Sequence, residues 1–121
     1  MKVRRFEDLV VWKKSKDLSL AVYRITGAGA FARDFGLRDQ IRRAAVSVMS
    51  NIAEGFERYS RAELRQFLSI ARGSTAEVRS QLTLARELGY LQEAEHASLH
   101  DQCVELSRML SALRASVDRS S

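Results

Sequence analysis

Proline is absent from the whole chain of 121 residues, and glycine occurs only six times. These two residues supply most turns in strand-rich or loop-rich folds, whereas Ala, Leu, Arg and Glu favour helix. A hydrophobic content of 45% with 29% charged residues is typical of a globular protein. The sequence therefore predicts an all-α protein with a single domain over residues 1–121.

Apolar residues recur at helical spacing in four segments, which predicts helices over residues 6–26, 35–55, 60–89 and 92–117. Asp34 is the predicted N-cap of the second helix, and Gly55 is its predicted stop. Ser60 and Glu63 have the spacing of a capping box at the start of the third helix. Two glycines within residues 27–30 predict a loop there.

The third and fourth segments carry the spacings of a heptad seam, in which steps of four and three residues alternate. In the third segment the seam residues are Leu64, Leu68, Ala71, Thr75, Val78, Leu82 and Ala85. In the fourth they are Leu99, Cys103, Leu106, Leu110, Leu113 and Val117. Amphipathic helices joined by short loops pack most simply as antiparallel neighbours, so we expect an up-down-up-down four-helix bundle.

The third helix has a second face made of small side chains, opposite its seam. The residues on this face are Ser69, Gly73, Ala76, Ser80 and Thr83. A flank of the same helix carries the apolar residues Phe67, Ile70, Leu84 and Leu88. Small side chains allow two backbones to approach closely, so we expect this face to contact a second subunit in a homo-oligomer. The alternative is a loosely packed surface of small residues.

Arginine recurs at every seventh position along the third helix, which places the side chains in one row. The row contains Arg58, Arg65, Arg72, Arg79 and Arg86. The second helix offers Arg38, Arg42 and Arg43 as an extension of this row. The net charge is +5 and the pI about 9.9, which favours an anionic partner. Such a row suits a phosphate backbone of RNA or DNA. The alternative is a salt-bridge surface that uses Glu54, Glu63, Glu77 and Glu87.

No motif for catalysis, metal binding or a cofactor is complete in this sequence. A di-iron bundle needs two E-x-x-H motifs, and only Glu93 with His96 matches, at an expected surface position. His96, His100 and Cys103 share a helical face but lack a fourth zinc ligand. We therefore expect a protein that is not an enzyme and has no metal or cofactor.

Aromatic side chains that might stack on bases are few. Trp12 and Tyr23 occupy predicted core positions, which leaves Phe56 and Tyr59 as the exposed candidates. The lone Cys103 cannot form an internal disulfide. The apolar run near the N-terminus is too short and too acidic for a signal peptide, and no apolar run approaches the roughly 20 residues of a membrane span. We expect a cytoplasmic protein that does not bind membranes.

Three stretches resemble one known family: FEDLVVWKKS, GLRDQIRRAAVSVMSNIAEGFERYSRAELRQFLSIARGSTAEV and QLTLARELGYL. The family consists of the four-helix bundle proteins encoded within intervening sequences of bacterial 23S ribosomal RNA genes, also called S23 ribosomal-like proteins. The resemblance covers nearly the whole chain. It departs at Ala32 and Met49, where the family usually has proline.

This resemblance implies a cytosolic homo-oligomer, typically a pentamer around a central channel. Similar proteins include the accessory variability proteins of diversity-generating retroelements, which are basic pentamers that bind nucleic acid and a reverse transcriptase. The matching basic residues here are Arg42, Arg43, Arg58, Arg61 and Arg65. We therefore expect an oligomer that binds RNA or DNA, with a nucleic-acid enzyme such as a reverse transcriptase as a candidate protein partner. The alternative is a protein-interaction scaffold or accessory subunit without nucleic-acid contact.

Overall fold

A computed structural model describes residues 3–119, and over this range it contains four long helices, two short helical turns and no strand. The long helices are α1 (Val10–Thr26), α3 (Phe35–Phe56), α4 (Arg61–Glu87) and α5 (Glu93–Arg119). The short turns are a 3-10 turn over Phe6–Asp8 and the helix α2 over Gly29–Arg33. The prediction of an all-α fold is confirmed.

The segments on either side of α1 differ from the predicted secondary structure. Leu9 has extended backbone angles between the 3-10 turn and α1, so the first helix does not run unbroken from residue 6. The predicted loop at residues 27–30 is wrong in its second half, where Gly29 begins α2 with a φ of 65°. Burial of Phe31 against Tyr90, with ring centroids 5.3 Å apart, holds this turn in place.

Two predicted helix starts are formed by the expected side chains. The Leu37 amide donates to Asp34 Oδ1 at 3.1 Å, and the Glu63 amide donates to Ser60 Oγ at 3.3 Å. The capping box is only half formed, because the Glu63 carboxylate lies 3.6 Å from the Arg58 guanidinium instead. Both N-caps satisfy backbone donors that the first turn leaves unpaired.

Gly89 ends α4 as predicted, through a left-handed C-terminal motif. Its φ is 79°, and the amides of Gly89 and Tyr90 donate to the carbonyls of Arg86 and Ala85. This pair of hydrogen bonds is a Schellman motif, which favours glycine because the left-handed conformation penalises a Cβ atom.

Gly55 does not stop α3, contrary to the prediction. It is buried inside the last turn, which continues through Phe56. A Cβ atom at this position would lie 2.7 Å from Cβ of Phe67 and 3.2 Å from Cδ1 of Leu64. Glycine is therefore required by the close approach of α3 to α4, and not by backbone conformation.

The core is built from the seams of the four long helices. All the predicted seam residues of α4 and α5 are buried except Leu64 and Leu113, which are half-buried and pack against the core. In chain order α1 packs on α3, α3 on α4, and α4 on α5, while α5 also packs on α1. Among residues 3–119, no helix combines the length and the apolar content that a membrane span requires.

Candidate nucleic-acid interface

The arginine row of α4 lies along the line where α4 meets α5. Arg65 Nε is 3.1 Å from Asp118 near the end of α5, and an Arg86 nitrogen is 3.7 Å from Glu93 at its start. Between them, Arg72 Nε donates to Ser107 Oγ at 3.3 Å. These contacts show that the two helices run antiparallel and that α5 supplies the partners of the row. Heptad spacing keeps the α4 side chains on this one side of the helix.

Arg58 does not belong to this row, contrary to the prediction. It lies in the loop before α4, where its guanidinium nitrogens are 3.6 Å from both Glu54 and Glu63. The same guanidinium lies over the Phe67 ring at 5.0 Å. These contacts match the alternative interpretation, in which arginines form salt bridges with Glu54 and Glu63. Arg58 therefore ties the α3–α4 loop to the start of α4.

The middle of the row borders a groove with a volume of about 540 Å³ between α4 and α5. Three arginines surround it, namely Arg72, Arg79 and Arg114. The remaining lining is small or polar: Ser69, Gly73, Thr75, Ala76, Cys103, Ser107 and Ser111. Of the predicted small-residue face, Ser69, Gly73 and Ala76 line the groove, whereas Ser80 and Thr83 are exposed beside it. A Cβ atom added at Gly73 would meet nothing within 4 Å, which shows that the groove is open beside this residue.

The three groove arginines are not neutralised by carboxylates. None of them forms an ion pair with any side chain in the described range, residues 3–119, and no Asp or Glu lines the groove. Arg86 and Arg65, outside the groove, do have carboxylate partners. Positive charge is therefore concentrated at the groove rather than spread evenly along the row.

Cys103 contributes a buried thiol to the wall of the groove. Burial raises the pKa of this thiol to about 12, and the nearby positive charge of Arg79 opposes the rise. Cys103 is therefore protonated near neutral pH. The thiol belongs to the packing of α5 on α4 and carries no charge into the groove.

The basic residues of α3 fall into two groups. Arg42 Nε donates to Thr26 Oγ1 at 2.8 Å, and Arg38 donates to the Ala32 carbonyl at 3.1 Å and pairs with Asp39. Both side chains therefore hold the α1–α3 connection. Arg43, like Arg61 at the start of α4, is exposed and makes no hydrogen bond or ion pair with residues 3–119.

The aromatic predictions are partly correct. Tyr59 is fully exposed and Phe56 is half-buried, while Trp12 packs against the core as predicted. The core position predicted for Tyr23 is wrong, since this side chain is 46% exposed. The Arg42 guanidinium covers its ring from outside at 4.4 Å, which a helical pattern in α1 alone does not reveal.

The E-x-x-H motif is divided between surface and interior. Glu93 is exposed, but the expected surface position is wrong for His96, which is buried and stacks on His100 with ring centroids 5.8 Å apart. His96 lies three residues before Leu99 and so extends the α5 seam by one step. Within residues 3–119 no three side chains of His, Cys, Asp or Glu are grouped to hold a metal ion.

Sequence reasoning missed Arg114, the one groove arginine that α5 supplies. A signal was present, because Ser107, Ser111 and Arg114 are spaced four and three residues apart beside the α5 seam. That spacing predicts one polar helix flank. It does not predict that the flank faces Arg72 and Arg79, which depends on how α5 packs on α4.

Comparison with protein families matches residues 7–112 to the family of 23S rRNA-intervening sequence proteins. The chain belongs to this family. A search of curated proteins gave no match.

A solved structure resembles the fold closely. It is the crystal structure of a protein of unknown function from the S23 ribosomal protein family of Bacteroides thetaiotaomicron. The TM-score is 0.80 at 24% sequence identity, over 87% of this chain and 98% of the other. At this level of identity the likeness concerns the fold alone. The family match over residues 7–112 confirms the family resemblance expected from the sequence.

Proposed function

We propose that this chain is a non-enzymatic, homo-oligomeric four-helix bundle that binds RNA or DNA through phosphate contacts centred on the α4–α5 groove. One observation carries the proposal: Arg72, Arg79 and Arg114 surround one groove without a carboxylate among the residues that line it. A guanidinium presents several donors in a planar fork that matches a phosphate group.

The spacing of the row suits an extended backbone. Arg72 and Arg79 are two helical turns apart, which is about 10.5 Å along the axis. A DNA strand carries one phosphate for about every 3.4 Å of helix axis, so this interval spans about three phosphates. Arg65 and Arg86 continue the row beyond both ends of the groove. Their ion pairs are partly exposed, and such pairs are weak enough for phosphate to replace the carboxylate.

The test is a titration of a fluorescent single-stranded RNA and a duplex DNA against the protein by anisotropy, over about 50 to 200 mM salt. The groove variant replaces Arg72, Arg79 and Arg114 by alanine. The control variant replaces Arg24, Arg33 and Arg119, which are exposed and lie outside the groove, and so removes the same charge.

We expect the groove variant alone to lose most of the affinity. For a single strand the slope of log affinity against log salt should become shallower by about 2, because each phosphate contact contributes about 0.7. Equal weakening of both variants would show that binding depends on net charge and not on the groove. Absence of binding by the wild type at low salt would overturn the proposal.

We also propose the up-down-up-down topology and assembly as a pentamer. Exposed apolar side chains on the α4 flank support a contact with another subunit, since Ile70 is 45% exposed and Leu84 and Leu88 are each 50% exposed. Five protomers, each with a charge of +5, would attract a polyanion strongly. Light scattering of the purified protein measures the subunit number, and a monomer at micromolar concentration would contradict the proposed assembly.

The same exposed residues favour a second candidate function, that of a protein-interaction scaffold without nucleic-acid contact. In that case Leu84→Ser and Leu88→Ser should abolish assembly or partner binding. The groove variant should then leave both unchanged. The anisotropy titration separates the two candidates, because a scaffold would not bind RNA or DNA even at low salt.

A further inference from the structure

The α4–α5 groove offers many hydrogen-bond donors and few groups that distinguish one base from another. Its charged side chains are all arginines, which donate and never accept. The hydroxyls of Ser69, Ser107 and Ser111 can donate as well. Thr75 already uses its hydroxyl to donate to the Ala71 carbonyl at 2.9 Å.

Discrimination among most bases requires chemistry that this lining lacks. Bases of any kind stack on aromatic rings, and adenine and cytosine are distinguished by amide and carboxylate side chains that accept from their amino groups. Arginine and serine can also contact base edges, those of guanine above all, but they bind phosphate oxygens in every nucleotide. The residues that line the groove, all within the described range, include no aromatic ring, no Asn or Gln and no Asp or Glu. Phosphate oxygens, which only accept, match the lining fully.

We infer that the groove binds a linear chain of phosphate groups without regard to bases, so that inorganic polyphosphate is a ligand as well as RNA or DNA. This inference names the ligand class of the groove on which the proposed function rests. The phosphate chain would lie along α4 between Arg72 and Arg79, with Arg114 contacting it from α5. Bases, where present, would point outward into solvent.

The small residues of α4 leave space in the groove for the phosphate chain. A side chain at Gly73 would project into open space beside the arginines, because nothing lies within 4 Å of a Cβ atom built there. A bulky residue at this position would fill the groove and leave every charge in place. Ser80 lies one heptad further along the same small-residue face, but it does not line the groove.

The experiment measures binding of inorganic polyphosphate by calorimetry, and its displacement of fluorescent poly(A), poly(U) and poly(dT) strands of equal length. It uses the wild type, Gly73→Leu and Ser80→Leu, with light scattering to compare assembly. We expect polyphosphate to bind the wild type and the three strands to bind within about threefold of one another. Gly73→Leu should weaken polyphosphate and strands alike by about tenfold or more, and Ser80→Leu by less than about twofold.

Three results would overturn the inference. If the strands bind and polyphosphate does not, or if one base is strongly preferred, the groove reads more than phosphate and the proposed function still stands. If Gly73→Leu and Ser80→Leu weaken binding equally, the site lies elsewhere or requires the assembled interface. If polyphosphate binds and no strand does, the inference stands and the proposed function fails.

Discussion

Replacing each of two helical glycines by alanine should change stability in opposite directions. Gly55 lies where α3 approaches α4, and a Cβ atom there would be 2.7 Å from Cβ of Phe67. Gly73 lies in the middle of α4, and a Cβ atom there would meet nothing within 4 Å. The chemical change is the same at both positions, so the difference isolates the effect of packing.

The magnitudes follow from two terms. Alanine is favoured over glycine in a helix interior by about 1 kcal/mol, so Gly73→Ala should raise the free energy of unfolding by about that amount. At Gly55 the gain is smaller because the residue is in the last turn, and the overlap with Phe67 costs about 1–3 kcal/mol. The two variants should therefore differ by about 1–4 kcal/mol in the free energy of unfolding.

The assay is urea unfolding, followed by circular dichroism at about 222 nm, which measures the loss of helix in the wild type and in both variants. Thermal melts provide a second measure, with a shift of about 4 °C expected for each kcal/mol. A Gly55→Ala variant as stable as the wild type would refute the close approach of α3 to α4. A destabilised Gly73→Ala variant would show that another chain covers Gly73, and the open groove would be refuted.

Three further predictions concern single residues. Cys103 should react with a thiol reagent near neutral pH only after unfolding, because burial raises its pKa to about 12; rapid labelling of the folded protein would contradict this. The hydrogen bond to Asp34 raises the pKa of Tyr90 above its ordinary 10.0, so its stabilising effect is complete below that pH and is lost as pH rises through the folded-state value. Tyr90→Phe should remove this part of the decline in stability above pH 10.0, and identical pH profiles would exclude the effect. Leu82→Ala should lower the free energy of unfolding by about 2–5 kcal/mol, since Leu82 is fully buried, and a loss under about 1 kcal/mol would contradict its place in the core.

Patterns that repeat within one helix predicted the structure best. The seam of α4 and the Schellman glycine at Gly89 depend on spacing and backbone conformation, which are properties of a short segment. The N-cap at Asp34 likewise depends only on the residues within three positions of it. Errors occurred where a distant residue decides the outcome, as at Gly55, which is constrained by Phe67, and at Tyr23, which Arg42 covers.

The candidate site also has one property that the sequence determined and another that only the tertiary structure decided. Heptad spacing in the sequence determined that Arg65, Arg72, Arg79 and Arg86 lie on one side of α4, because the helix geometry repeats almost in phase every seven residues. Only the tertiary structure decided which of these charges are neutralised. Asp118 lies 3.1 Å from Arg65, whereas Arg72 and Arg79 face Arg114 and serines across the groove. A charge is cancelled only by a partner within a few ångströms, and the packing of α5 on α4 sets those distances.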